Sequence, residues 1–305
     1  FPYQYLFAEV VPAQEPGVGK EINAIITARQ HPYLQQAHFS NRTDDLDALY
    51  KRVNYQLLWL GSDNSAQKIA EALDLLANAE TQGLIKANYD VDFLRGKYQA
   101  ALAYPATEHK ELALYDTALS IALLRYLHDI HYGRVNPKGI NFNLQLREKK
   151  TVDFPALVKD SLSLNTISQL PLLVEPKIQQ YQKLRAALAS YRLTASKAPL
   201  FKFQAKSKVR PGDYHPQMAE LSQYLAGMGD LPESATIKST EKNQKYTPEL
   251  VEAVKNFQLR HGLGSDGTIG PGTVAAFNEP LLLRITQIEL AMERLRWLPE
   301  MNVNR

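Results

Sequence analysis

The sequence predicts a mostly α-helical fold in two parts, a helical scaffold domain followed by a small three-helix domain. Three observations carry that reading. Apolar residues recur at spacings of three and four through most of the 305 residues. Thr, Ser and Asp stand where such runs begin, and Gly or Pro where they stop. Only one stretch, Phe201 to Arg210, alternates with the period of two that marks a strand, and a sequence of 305 residues leaves room for about two domains of roughly 150 each.

Residues 1–40 carry Pro and Gly punctuation without a sustained period, so they read as an irregular lead-in. The scaffold domain is expected over 41–195. Leu46, Leu49, Tyr50 and Val53 make its first stripe. Ser65 is placed to cap a helix bearing Ile69, Leu73 and Leu76 that stops near Gly83, and another starts about Asp90. A long helix follows Thr107, with Glu108 and Glu111 where negative charge suits the helix dipole. Its expected core face is Leu112, Tyr115, Leu119, Ala122, Leu123, Tyr126 and Ile130, and Gly133 ends it. After a loop, Asp153 caps one helix, and Pro176 suits the first turn of another that runs to about Arg192.

Texture changes at Ala195–Pro216, which is basic, contains Pro and is not helical, so the second domain is expected over 196–279. Met218, Leu221 and Leu225 form a short helical face. Thr247 as N-cap and Pro248 at the first position open a helix carrying Leu250, Val254 and Phe257. It runs into "HGLGSDGTIGPGT", whose Gly262, Gly264 and Gly267 match the spacing of a dinucleotide-binding loop. That loop needs a strand before it, and here a helix precedes it. Each glycine has a turn task instead: Gly262 terminates the helix, Gly267 completes an Asp-Gly turn after Asp266, and Gly270 with Pro271 opens a helix bearing Val274 and Phe277. A last helix over 280–305 carries Leu281, Ile285, Ile288, Met292 and Leu295 at alternating spacings, a stripe that needs a partner surface.

Composition narrows the function. The net charge of +3 is too small for a nucleic-acid binder, and no apolar run reaches the roughly 18 residues of a transmembrane helix. Lys202, Lys206, Lys208 and Arg210 interleave with Phe201 and Phe203, which reads as a half-buried strand with a solvated basic face, or as a contact for an anionic polymer. The absence of cysteine removes thiolate catalysis and cysteine metal sites from this sequence. His128 and His131 have a two-ligand spacing but no evident third ligand, so no metal and no cofactor is expected. Asp44, Asp45, Asp47, Glu108 and Glu111 sit at helix starts, where capping alone explains them.

Tyr246 to Asn278, "YTPELVEAVKNFQLRHGLGSDGTIGPGTVAAFN", resembles the repeat of the peptidoglycan-binding domain, with its F-Q-x-x-x-G-L helix end, D-G-x-I-G turn and T-x-x-A-F closing helix. Upstream, "YKRVNYQLLWLG", "LHDIHYGRVNP" and "KLRAALASYR" resemble the scaffold region of the long Gram-negative L,D-transpeptidases, and "RITQIELAMERLRWLPEM" resembles the helix that leads into their catalytic domain. Those enzymes act through a cysteine with a histidine base, and this sequence contains no cysteine, so no catalytic residue carries over.

The resemblance implies a periplasmic protein, exported with its leader removed, that binds or positions peptidoglycan through stem peptide or glycan without catalysing. It also implies a catalytic domain after Arg305 as a partner. A structural spacer or docking scaffold without wall affinity is the alternative. Gln258, Arg260, His261, Asp266, Thr268 and Asn278 are the candidate ligand-binding residues, lying at helix ends and in the turn of the binding repeat.

Overall fold

The computed structural model describes residues 16–61, 64–137, 151–197, 201–238 and 243–298. It is mostly α-helical: among the described residues twelve α-helices accompany one two-stranded sheet. The described residues divide into two compact units, one within 1–176 and 296–305, the other within Lys177–Leu295.

In the first unit, α1 (Pro16–Ala28), α2 (Thr43–Lys51), α3 (Ser65–Ala77), α4 (Val91–Ala103), α6 (Phe154–Leu164) and α7 (Leu170–Val174) gather around α5 (His109–Tyr132). The expected single core face of α5 is too modest a description. Every residue from Leu112 to Leu127 is buried, so this helix is enclosed on all sides. Its polar side chains therefore need internal partners. Thr117 Oγ1 donates to the Ala113 carbonyl at 2.6 Å, and Arg125 donates to the carbonyls of Gln36 and Asn88 at 3.1 and 3.3 Å.

Asp116 is the most connected of them. Its carboxylate accepts the Tyr50 hydroxyl at 2.7 Å and the backbone N–H groups of Leu58, Trp59 and Leu60 at 2.8, 2.8 and 3.1 Å. A non-helical segment is thereby buried with its donors satisfied, which burial otherwise forbids. The Trp59 indole, itself fully buried, donates to Ser120 Oγ at 2.9 Å one turn along α5. Burial pushes the Asp116 carboxyl above the usual range, and the four donors oppose that shift by favouring its charged form.

The irregular lead-in requires correction, because α1 occupies Pro16–Ala28 within it. Val18, Ile22 and Ile26 are buried on one face against α5. Gly17 and Gly19 lower helix propensity and obscure the pattern, yet the packing uses them. A Cβ on Gly17 would stand 2.2 Å from the His109 ring, and one on Gly19 3.4 Å from the Tyr55 carbonyl oxygen. Residues 1–15 lie outside the described residues. The other helix ends follow the sequence closely. Asp153 caps α6 by accepting from Ala156 N–H at 2.8 Å, and Gly133 with φ 85° ends α5. Ser65 is the first residue of α3 rather than its cap, which falls on Asn64.

In the second unit, α8 (Gln179–Lys197), α9 (Met218–Gly227), α10 (Pro248–Arg260), α11 (Pro271–Phe277) and α12 (Leu281–Arg296, its last residue apart) surround a core rich in aromatic rings. Pro176 lies three residues before α8 instead of in its first turn. Tyr181, Leu188 and Tyr191 of α8 share the second core, so this helix packs with the C-terminal unit although the change of texture places it in the scaffold. The sheet pairs β1 (Tyr214–His215) antiparallel with β2 (Gln244–Lys245). The predicted strand over Phe201–Arg210 needs correction: it alternates only over its first five residues, Phe203 inward and Lys202 and Gln204 outward, then bends at Lys206–Ser207 with 206–208 all exposed, and is held by bonds other than a ladder.

Two measurements follow from these buried polar groups. Asp116→Asn turns one acceptor into a donor facing N–H groups and is expected to destabilise the first unit by about 3 kcal/mol, read as a lower urea midpoint. His31, fully buried, accepts the Tyr33 N–H at Nδ1 and bonds Thr117 Oγ1 through Nε2, so only the neutral ring fits. Desolvation lowers its pKa to about 4 from 6.5, with the Leu114 carbonyl opposing. The unfolded chain then binds the extra proton, so the contribution of about 3 kcal/mol is present above pH 6.5 and lost as pH falls through 6.5 toward 4. Thermal melts between pH 7 and pH 4.5 check this, and a midpoint indifferent to pH would refute it.

Candidate functional site

The turn between α10 and α11 is where the binding repeat concentrates its unusual residues. Thr247 caps α10 by accepting the Leu250 N–H at 3.4 Å, and Gly262 ends the helix region with φ 66°. Gly267, at φ 73°, is required twice over, since a Cβ there would also lie 2.7 Å from Val251 Cγ1.

Gln258 organises this turn. It is 1% exposed, its Oε1 accepts the Gly267 N–H at 2.9 Å, and its Nε2 faces the Thr268 carbonyl at 3.0 Å, Thr273 Oγ1 at 3.1 Å and Asp266 Oδ1 at 3.2 Å. Tyr246 closes the other side, donating its hydroxyl to the Gly267 carbonyl at 2.7 Å. Asp266 also accepts the Thr268 N–H at 2.8 Å, which holds its carboxyl below the usual range.

The remaining candidates are equally occupied. Arg260 forks onto both oxygens of Asp230, whose side chain is 5% exposed, and reaches the Tyr191 hydroxyl at 3.4 Å. The His261 ring stacks on Phe257 at 3.9 Å and donates from Nδ1 to the Phe257 carbonyl, and burial lowers its pKa. Asn278 bonds both the N–H and the carbonyl of Phe203, at 2.8 and 2.9 Å, tying the extended segment to the end of α11. Of the six, Asp266 and Arg260 are exposed and Thr268, His261 and Asn278 half-exposed, while only Gln258 is buried. Phe257, Ile269 and Phe277 are buried core, with Leu263 and Val274 half-buried beside them.

A groove of about 760 Å³ lies on the same unit, lined by residues 204–209 and 213–216 with Val274. The segment forming one lip is anchored at both ends. At one end Gln204 N–H donates to Gln217 Oε1 at 2.8 Å, and its carbonyl accepts from His215 Nε2 at 2.9 Å. At the other, Val209 and Ile269 exchange backbone hydrogen bonds at 3.1 and 2.9 Å. His215 Nδ1 accepts the Gln217 N–H at 3.2 Å and the ring stacks on Phe203 at 4.6 Å, so both nitrogens are assigned and the ring is neutral. Burial lowers its pKa, with the Gln204 carbonyl opposing. Composition offered one signal for this groove, the basic run; the anchors join Gln204 to residues 11 and 13 positions on and Val209 to Ile269, and leave no local pattern.

Residues 214–277 match the family model described as "Putative peptidoglycan binding domain". Helices α9, α10 and α11 with both strands lie inside that match, and so does the turn organised by Gln258. Residues 44–188 match the model described as "Scaffold domain", which takes in the first unit from α2 onward and the first half of α8. No curated protein matches the chain. Peptidoglycan is thus the partner to which the second unit is matched, and among the described residues no helix is long and apolar enough to cross a membrane. In the first unit, His131 bonds the Val174 carbonyl at 2.8 Å and His128 packs on Tyr132, which gives both histidines structural surroundings.

Replacing Gln258 by Leu keeps the volume but strands the Gly267 N–H and takes one donor from the Thr268 carbonyl, which keeps the Gly270 N–H at 3.0 Å. The expected cost is about 2–4 kcal/mol in the second unit, measured by chemical denaturation, with faster amide exchange across residues 262–270.

Proposed function

We propose that this chain is the non-catalytic, wall-positioning part of an L,D-transpeptidase-like cross-linking protein of the Gram-negative periplasm. The observation that supports this reading is the order of the two matches, a scaffold domain over 44–188 followed by a peptidoglycan-binding domain over 214–277. In this reading residues 196–279 form the wall-binding domain, buttressed by α8, and 280–305 lead toward a catalytic domain that supplies the thiolate this sequence lacks. Wall affinity raises the local concentration of acyl donor and acceptor at such a centre without any contribution to the chemistry itself.

Co-sedimentation with purified sacculi tests the binding reading. Retention clearly above that of a folded control protein of similar charge is expected, and retention equal to the control removes wall binding. The transpeptidase part has its own test. The protein taken from its native cell is expected to exceed the 34.4 kDa of this chain and to react with a thiol-directed probe; a thiol-free species would refute it.

A second reading, a spacer or docking scaffold without wall affinity, draws on the internal occupation of Gln258, Arg260, His261 and Asn278. Arg260→Ala is a poor discriminator between the two, because it leaves the nearly buried Asp230 carboxylate unpaired and acts on stability. Unchanged folding together with control-level sacculus retention favours the spacer.

A further inference from the structure

We infer that the groove beside β1 is a carboxylate-binding site, and that within peptidoglycan it takes the stem peptide and not the glycan. This rests on the wall-binding reading above and names the part of the polymer recognised. The groove's volume, about 760 Å³, is that of a site for a small molecule or short peptide.

Its charge selects an anion. Lys206 and Lys208 line it, both exposed, and among the described residues neither ammonium has a carboxylate partner. Ser207 between them is exposed and its hydroxyl likewise has no hydrogen bond among the described residues. The one carboxylate in the lining, Asp213, already accepts the Arg210 N–H at 2.7 Å. His215 contributes no charge, being held neutral by its two hydrogen bonds.

The lip is also held in place. Residues 205–208 span the interval between the Gln204 anchor and the Val209–Ile269 bridge, so the two ammonium groups sit on a backbone fixed at both ends. Tyr214 offers a ring that is 66% exposed, on a backbone held in β1 against Lys245. An exposed ring on a fixed backbone is a platform for an extended ligand. A neutral sugar chain gives two lysines nothing to pair with, whereas stem peptides carry free carboxylates at fixed intervals along their backbone. Lys206 and Lys208 lie before residue 214, outside the matched peptidoglycan-binding region, so this chemistry is an addition to the family pattern.

The experiment uses the full chain and the double charge reversal Lys206→Glu/Lys208→Glu, with Tyr214→Ala as a second variant. Both alter exposed side chains, and circular dichroism verifies folding. The probes are purified sacculi, a free stem tetrapeptide, the same peptide with its carboxylates amidated, and peptide-free glycan strands whose lactyl carboxylates are amidated, so that the glycan probe is neutral. The free tetrapeptide is expected to shift amide resonances of residues 204–216 and to compete for sacculi, and the amidated peptide and the glycan are not. The charge reversal is expected to lower sacculus affinity at least about fivefold. Sacculus binding by the parent chain that is unaffected by the charge reversal, or is competed by glycan strands alone, overturns the stem-peptide site while leaving wall binding intact. Failure of the parent chain to bind sacculi overturns both.

Discussion

Irregular backbone can be buried only if its N–H and C=O groups find partners, and in each unit one polar side chain projecting from a helix collects several of them. In the first unit Asp116 collects three consecutive N–H groups of Leu58–Leu60, and that fixes where Trp59 and Tyr50 enter the core. In the second, Gln258 supplies an acceptor to Gly267 and donors to the Thr268 carbonyl and Thr273. The two residue types suit their tasks. A carboxylate serves where only donors converge, and an amide serves where a donor and acceptors alternate.

Much of the helical order was legible because it is local. The Asp153 and Thr247 caps, the Gly133 stop and the glycine turn at 262–270 are settled within a few residues of each other, by side-chain reach and by φ. What escaped depends on distant chain. The helix Pro16–Ala28 was hidden by Gly17 and Gly19, and those glycines make sense only once His109 and Tyr55 are beside them. The full enclosure of α5 could not be read from its apolar spacing, since Asp116, Thr117, Ser120 and Arg125 look like a solvated face until their partners are known. The packing of α8 is equally distant: the scaffold match reaches residue 188, and a change in composition after residue 195 says nothing about which core Tyr181 and Leu188 enter.

The six site residues show why a family pattern is an uncertain guide to ligand contact. Polar residues at a helix end and in a turn are the ones a rigid rim would need, and they are equally the ones a turn needs to exist. Gln258, Arg260, His261 and Asn278 all do the second task. A motif dense enough to be recognised is dense because its residues constrain one another, so its polar members are spent on the frame. The site proposed above draws instead on side chains the frame leaves over, Lys206 and Lys208 on an adjoining segment and Tyr214 at the start of the matched region.

That division has an energetic consequence for how such a unit engages a wall. Exposed ion pairs contribute only about 0–1 kcal/mol each, and at physiological salt charges are screened beyond about 8 Å. Two lysines and one exposed ring therefore give a weak individual site. A wall polymer presents the same peptide many times within reach of one tethered domain, so release from one stem is followed by capture of the next. Weak single-site affinity then combines long residence on the polymer with mobility along it, and a tightly binding pocket would forfeit the mobility. The groove suits that regime by its construction: its lip is held by backbone bonds at Gln204 and Val209, leaving the charges free for a partner that comes and goes.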